Sequence, residues 1–189
     1  MITDLTSEYT RLELDQEKIT EVDLGCGSGS FILQLAQAYP ERQFIAVDVM
    51  IGRLRSVESK CRLNNINNIN IYRSEAWHFF DIHLADNSLD RLHVLCPDPW
   101  PKKRHAGHRL LNSEFLSRAF NKLKPGGCLH LATDHSPYFE QMKREVSHLK
   151  QFVLNNDLID DIREYKTDFE KDFLEQGIAV NHASWMANK

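Results

Sequence analysis

The chain has 189 residues, 42% hydrophobic and 26% charged, with a formal charge of −4. With only 8 glycines and 6 prolines it is not collagen-like, low-complexity or largely disordered. A net acidic protein does not attract nucleic acid as a whole, so any such binding must come from a local basic patch. The cysteines (Cys26, Cys61, Cys96 and Cys128) form no CxxC pair, which argues for reduced thiols over a disulfide framework or zinc ribbon. The acidic N-terminus lacks the apolar stretch of a secretory signal, and no apolar run is long enough to span a membrane. The expectation is a soluble cytoplasmic protein with no metal and no membrane partner, folded as a single domain over residues 1–189 with a short leading segment at 1–18.

In chain order, residues 19–25 read as a buried strand. Phe31, Ile32, Leu35, Ala36 and Tyr39 then recur with helical spacing up to Pro40. Residues 43–49 predict a second strand, and Ile51, Leu54, Val57 and Cys61 the next helix. A third strand at 69–73 and a short helix near 77–82 precede a fourth strand at 89–96. Phe115, Leu116, Ala119, Phe120 and Leu123 mark a helix closed by the Lys-Pro-Gly-Gly run at 124–127, and a fifth strand follows at 128–133. Ser136-Pro137 reads as a Ser cap with proline at the first helical position. Strand alternating with helix predicts a doubly wound, mostly parallel α/β sheet of about seven strands with helices on both faces. Two further strands, at 151–154 and 178–184, flank an acidic segment and are expected to pair antiparallel.

The first strand ends in Asp23-Leu24-Gly25-Cys26-Gly27-Ser28-Gly29. Glycines at such a turn let the backbone approach a ligand and open a helix N-terminus toward it. The spacing is GxGxG, with Ser30 where a dinucleotide fingerprint has its third glycine, and a simple tight turn competes with a cofactor loop. Asp48 stands nineteen residues beyond Gly29 at the end of the second strand, where a carboxylate accepts from both ribose hydroxyls of an adenosine. Asp23 would repel a pyrophosphate but suits an ammonium group, and Glu75 is in reach of an adenine amino group. Solvated strand-end acids are the bland alternative. Three acids at successive strand ends around a glycine loop favour S-adenosylmethionine over NAD.

The fourth strand runs into Cys96-Pro97-Asp98-Pro99-Trp100-Pro101-Lys102-Lys103-Arg104-His105. The prolines stiffen the turn and fix Asp98 and Trp100, and Lys102, Lys103, Arg104 and Arg109 form an acid-free cationic patch suited to phosphates. This run resembles the bacterial tRNA (guanine-N7-)-methyltransferases that modify guanosine 46 in the variable loop. VDLGCGSG at 22–29, AVDV at 46–49, SEA at 74–76, LATDH at 131–135 and TDFEKDFLEQG at 167–177 extend the resemblance from about residue 20 to the chain end. It implies a class I methyltransferase fold with S-adenosylmethionine as cofactor, S-adenosylhomocysteine as product, and tRNA as partner of a monomer or homodimer. By the resemblance, Asp23, Gly25, Gly27, Gly29, Asp48, Glu75 and Asp98 bind the cofactor, and Asp98 is also catalytic. Lys102, Asp134, Thr167, Asp168, Phe169 and Glu170 match substrate-binding positions, and Lys103, Arg104 and Arg109 a region that touches RNA. Aspartates at 23 and 48, where the family commonly has glutamate, and Cys96, where it has a large apolar residue, depart from the family pattern. The basic N-terminal extension is also largely missing.

Guanine N7 carries an in-plane lone pair, so Asp98 is expected to orient the base and offset its growing positive charge more than to act as a general base. The rival readings are a methyltransferase of another substrate, a non-catalytic tRNA-binding protein on a methyltransferase scaffold, and an NAD-dependent oxidoreductase. Trp100 is read as a stacking or packing residue. His105 and His108 lack the remaining ligands of a zinc site.

Overall fold

The structure, a computed structural model, describes residues 1–100 and 103–189. Its centre is one sheet of eight strands in the order β1-β4-β3-β2-β5-β6-β8-β7. The strands are β1 (Ile2–Asp4), β2 (Thr20–Leu24), β3 (Gln43–Asp48), β4 (Ile69–Arg73), β5 (Leu89–Leu95), β6 (Leu123–Thr133), β7 (Phe152–Leu154) and β8 (Asn181–Ala187). Every pairing from β1 to β6 is parallel, and β8 runs antiparallel to both β6 and β7. The order reverses at β2, between β3 and β5, which opens a crevice above the carboxyl ends of these strands.

β2 is buried along its whole length and β3 at all but its first residue, as expected for strands covered on both faces. The covering helices are α1 (Ser30–Ala38), α2 (Ile51–Leu63), α3 (Ala76–His78), α4 (Ser113–Lys122), α5 (Ser136–Ser147) and α6 (Asp168–Glu175). They divide the core in two. Phe79, Phe80, Phe115, Leu116, Tyr138 and Met142 pack on one face with the alternate side chains of the strands. Phe31, Leu35, Leu54, Val57, Ile159 and Ile162 pack on the other.

Three details differ from the sequence expectation. The leading segment is not outside the sheet: residues 2–4 form an eighth strand, paired parallel to β4 in register Ile2 with Ile71. β6 does not wait for Cys128 but starts at Leu123 and absorbs the Pro125-Gly126-Gly127 turn as an irregularity opposite Leu89–Arg91. A Cβ on Gly127 would lie 2.9 Å from the Lys124 carbonyl oxygen, so only glycine lets the strand double back so tightly. Third, α5 is capped by His135 and not by Ser136: His135 Nδ1 accepts from the Tyr138 N–H at 3.1 Å, while Pro137 occupies the first turn as expected.

Candidate active site

Between β2 and α1 the backbone of Gly25, Gly27 and Gly29 takes φ of 79°, 57° and 80°, a region that side chains resist. At Gly29 space adds to the requirement, because a Cβ would stand 2.7 Å from Val57 Cγ2 on α2. The loop is tied back by two bonds to the Val47 carbonyl, from Gly25 N–H at 2.8 Å and Cys26 N–H at 3.0 Å. Asp48 then braces it. Its carboxylate accepts from Gly27 N–H at 3.1 Å and Met50 N–H at 2.8 Å, with Arg53 at 3.6 Å. A carboxylate offers about four acceptor positions, so capacity remains for hydroxyl donors in the cleft that Asp48 lines.

Asp23 lies beneath the loop with 2% of its surface exposed. Burial, reinforced by the charge of Asp48, raises its carboxyl to about 7. Among the described residues no cationic side chain forms a salt bridge with Asp23, and a carboxyl so placed gains from any cation brought to it. Burial also pushes the Cys26 thiol well above its ordinary value, with Asp23 and Asp48 adding to the effect. That removes it as a nucleophile.

The cleft above these strands has a volume of about 460 Å³. Leu24, Gly25, Val47 and Asp48 form one wall, Ser74 and Ala76 an end, and Cys96, Asp98, Trp100 and Asp134 the facing wall, with Phe169 and Phe173 reaching in from α6. The facing wall is a constrained turn: Cys96 and Trp100 have φ of 49° and 40°, costly for non-glycine residues. Cys96 N–H ties its start to the Ala132 carbonyl at 2.8 Å, and Arg109 holds the rest. Arg109 donates from Nε to the Pro99 carbonyl at 2.8 Å and from Nη2 to the Trp100 carbonyl at 3.3 Å, and a third bond goes to Gln141. Its guanidinium also lies 4.7 Å from the centre of the Tyr138 ring. Asp98 is thus left exposed immediately before two anchored carbonyls. Trp100 is 37% exposed and rests against His108, the ring centres 5.0 Å apart.

The C-terminal segment closes the site. Thr167 caps α6, its hydroxyl oxygen accepting from Glu170 N–H at 3.0 Å. Asp168 accepts from Ser28 Oγ on the glycine loop, and Lys60 Nζ bonds the Ser28 carbonyl at 3.0 Å. Burial acts to raise the Asp168 carboxyl, but the bonds from Ser28 and Ser30 and the charge of Lys60 outweigh it and hold it low. Glu170 is 5% exposed and accepts from Lys166 Nζ at 2.9 Å and His182 Nε2 at 3.1 Å, which overcome burial and lower its carboxyl too. Cys96 sits among these acids. Burial first, then the charges of Asp134 and Glu170, push its thiol up to about 12.

A sequence model of a family described as "Putative methyltransferase" matches residues 17–183. A tRNA (guanine-N(7)-)-methyltransferase of Nitrosococcus oceani is 35% identical over 164 residues, 87% of this chain and 69% of that one. The same-named protein of Chlorobium phaeobacteroides is 34% identical over 93% of this chain and 84% of its own length. The chain belongs to the tRNA (guanine-N(7)-)-methyltransferase family. With some relatives the match is shorter, spanning 56% of the protein from Syntrophotalea carbinolica at 34% identity. Among solved structures, the 16S rRNA methyltransferase KamB superposes with a TM-score of 0.67 over 92% of this chain and 90% of its own, at 15% identity. An antibiotic-related methyltransferase does so with a TM-score of 0.61 over 96% and 98%, at 17% identity. The fold is that of the class I methyltransferases.

Within this family's frame, the cleft brings together Gly25, Asp48, Asp98, Asp134 and Phe169, residues the sequence places far apart. Asp23 lies beneath the loop, Gly27 and Gly29 shape it without lining the cleft, and Glu75 is exposed beside the cleft, which its neighbours Ser74 and Ala76 line. Thr167, Asp168 and Glu170 are committed to capping α6 and docking it. Arg109 is an anchor of the Asp98 turn and not a free cation, a role that its place in a basic run does not signal. Lys102 lies outside the described residues; Lys103 and Arg104 belong to a short 3-10 turn (Lys103–His108), where Arg104 is exposed. Sequence reasoning missed Ser28, Lys60 and Gln141, whose partners are remote in the chain.

Proposed function

We propose that this chain, as a single domain over residues 1–189, transfers the methyl group of S-adenosylmethionine to N7 of guanosine 46 in the variable loop of tRNA in the cytoplasm. The observation that carries this reading is the cleft itself, which Asp48, Asp98 and Asp134 line together. The donor set suits the cofactor: Asp48 has spare acceptor capacity for ribose hydroxyls, and the buried Asp23, without a cationic partner among the described residues, gains from an ammonium or sulfonium nearby. When bound, S-adenosylmethionine supplies an electrophilic methyl carbon, which the guanine N7 lone pair takes to leave neutral S-adenosylhomocysteine and a cationic 7-methylguanine.

The protein's own part is placement and electrostatics. Asp98, in the turn that Arg109 holds through the Pro99 and Trp100 carbonyls, accepts from the N1–H and N2 amino group of the guanine and offsets the charge gained by the ring. Asp134, next to it in the cleft, shares that edge. Trp100 and Phe169 offer exposed aromatic faces to an unstacked base. Lys102, Lys103 and Arg104 meet tRNA phosphates, and Thr167, Asp168 and Glu170 support the substrate wall by fixing α6. Asp23, Gly25, Gly27, Gly29, Asp48 and Glu75 serve the cofactor side.

The test is transfer of labelled methyl to unmodified bulk tRNA, with the product mapped by cleavage at 7-methylguanosine. Label at position 46 of the variable loop is expected. Label elsewhere, or none while S-adenosylhomocysteine still binds, overturns the substrate assignment.

A further inference from the structure

A row of buried ionisable side chains crosses the sheet and ends behind the cleft wall. Glu21 on β2 is wholly buried and accepts from Arg42 at 2.7 Å. Its other oxygen lies 3.0 Å from His93 Nε2 on β5. His93 Nδ1 lies 3.0 Å from His130 Nδ1 on β6, and His130 Nε2 3.0 Å from His182 Nδ1 on β8. His182 Nε2 completes the row at 3.1 Å from Glu170. Five side chains on four adjacent strands and α6 thus make one uninterrupted chain of contacts.

Counting protons along it gives an odd result. Burial acts to raise the Glu21 carboxyl, but His93, with Arg91 and Arg42, outweighs it and keeps the group ionised; His182 and Lys166 do the same for Glu170. An ionised carboxylate only accepts, so both His93 Nε2 and His182 Nε2 carry a proton. Each nitrogen–nitrogen contact at 3.0 Å needs one proton between its partners, since two facing lone pairs repel. Four contacts therefore need four protons, and three neutral imidazoles supply three. Burial, with the flanking rings, disfavours a charge on His130. The extra proton then belongs to the outer rings, each beside a carboxylate, and moving it from one end to the other reverses the direction of every bond across His130.

We propose that His93, His130 and His182 share one excess proton and are positioning residues for Glu170, fixing the start of α6 and with it Phe169 in the cleft. The proton count rests on the four contacts and on the ionised state of the two end carboxylates; the consequence for catalysis rests on the function proposed above. Other charges face the row. Arg91 on β5 lies 3.8 Å from Glu21 and 2.9 Å from Asp161, which also takes Arg42 at 3.1 Å, and Arg163 acts on His130 from the same turn. These cations favour Glu21 as an anion and disfavour a second proton on the rings. As pH rises and the shared proton leaves, one nitrogen–nitrogen bond is lost and the row breaks in two.

The experiment is 15N NMR of the full chain labelled at histidine, from about pH 6 to about pH 9, on either side of an ordinary imidazole's range. The three rings are expected to hold four protons jointly near neutrality and to titrate as one unit. Glu21→Gln is expected to move the His182 ring resonances although two rings intervene. Three singly protonated rings across the whole range, or a Glu21→Gln effect confined to His93, overturns the proposal. Should Glu21→Gln fail to fold without the ion pair to Arg42, His182→Gln, at the more accessible end, is read at His93 with the same two outcomes. In methyl transfer, His182→Gln is expected to lower kcat roughly tenfold and to remove the alkaline limb of its pH profile, with S-adenosylhomocysteine affinity unchanged. An unaltered profile overturns the positioning role. Coupled rings in a protein that methylates no tRNA would refute the proposed function and leave the proton-sharing row standing.

Discussion

The two walls of the cleft are built in opposite ways. Below the glycine loop, Asp23 and Asp48 are 2% and 4% exposed, and Asp48 is held by backbone N–H groups. Across from them, Asp98 is exposed and Trp100 is 37% exposed, and their turn is held from outside through its carbonyls by Arg109. A buried wall keeps its carboxylates in a low-dielectric setting where they act strongly on a small ligand. An exposed wall leaves its groups free to be covered by a large substrate that itself excludes water. The first wall is finished in the free protein; the second keeps its groups open to solvent.

The largest expected effect that sharpens this contrast is at Asp98. Asp98→Asn keeps the shape of the turn but removes the charge opposite the reacting ring. Turnover is expected to fall about 100- to 1,000-fold, the size of losing one preorganised electrostatic group, while tRNA affinity changes little. Single-turnover methyl transfer alongside filter binding reads both quantities. Undiminished turnover would mean that the exposed wall only shapes the cleft.

Asp23→Asn breaks the comparison from the buried side. The folded-state carboxyl titrates near 7 against 3.8 for the ordinary group, so the folded protein keeps a proton that the unfolded chain loses. The contribution of Asp23 to wild-type stability is therefore fullest at low pH, falls between about pH 4 and about pH 7, and is level above. The variant lacks that slope and is expected to be more stable above neutrality by a few kcal/mol, because each tenfold difference in proton affinity is worth about 1.4 kcal/mol. Its affinity for S-adenosylhomocysteine should fall about tenfold or more, as for loss of a buried charge pair. Thermal unfolding across this range, with calorimetry of binding, reads both. Parallel stability curves for the two proteins would show that Asp23 is ionised when folded.

The contrast also explains what the sequence disclosed. Asp23, Asp48 and the glycines were legible because a βα turn confines its chemistry to a few consecutive residues, and β3 because Phe44 to Val47 is an unbroken apolar run, as suits a strand buried on both faces. The Asp98 turn was legible through its prolines. What escaped depends on meetings between remote residues. Asp168 reaching Ser28 across 140 positions follows from where α6 docks, and no local pattern encodes that. His93, His130 and His182 fall on three strands, and only the antiparallel register of β8 on β6, pairing His130 with Ser184, brings the last ring into line. Thr167 matched a substrate motif but is occupied as a helix cap, because a hydroxyl at that position meets an unpaired N–H before it meets any ligand.

Arg109→Lys tests whether the exposed wall owes its shape to an external anchor. Lysine retains the charge but not the planar fork that reaches two carbonyls and Gln141 at once. Without it, the turn that holds Cys96 and Trp100 at positive φ loses its restraint. Stability is expected to fall by about 1 kcal/mol, the ordinary worth of one or two such bonds, and kcat/KM about tenfold by misplacement of Asp98. Cofactor affinity should be untouched. A matching loss of cofactor affinity would show that the two walls are not independent.

The smallest effect expected is at Arg104, and its value lies in its salt dependence. The chain carries a net charge of −4, so attraction to RNA cannot be a property of the whole protein. It is expected from a local patch, here the cations after the Asp98 turn, of which Arg104 is exposed and bonded only to its neighbour His105, at 3.1 Å, among the described residues. A phosphate contact releases counterions, and each one removed lowers the slope of log affinity against log salt by about 0.7 to 0.9. Arg104→Ala should therefore reduce that slope by just under one unit while weakening tRNA binding only a few-fold at moderate salt. S-adenosylhomocysteine binding, governed by buried carboxylates that mobile ions cannot reach, should show almost no salt dependence in either protein. An unchanged slope would remove Arg104 from the RNA track and leave Lys102 and Lys103 to carry it. A salt-sensitive cofactor site would mean that the buried wall is open to solvent ions, and the opposition between the two walls would fall.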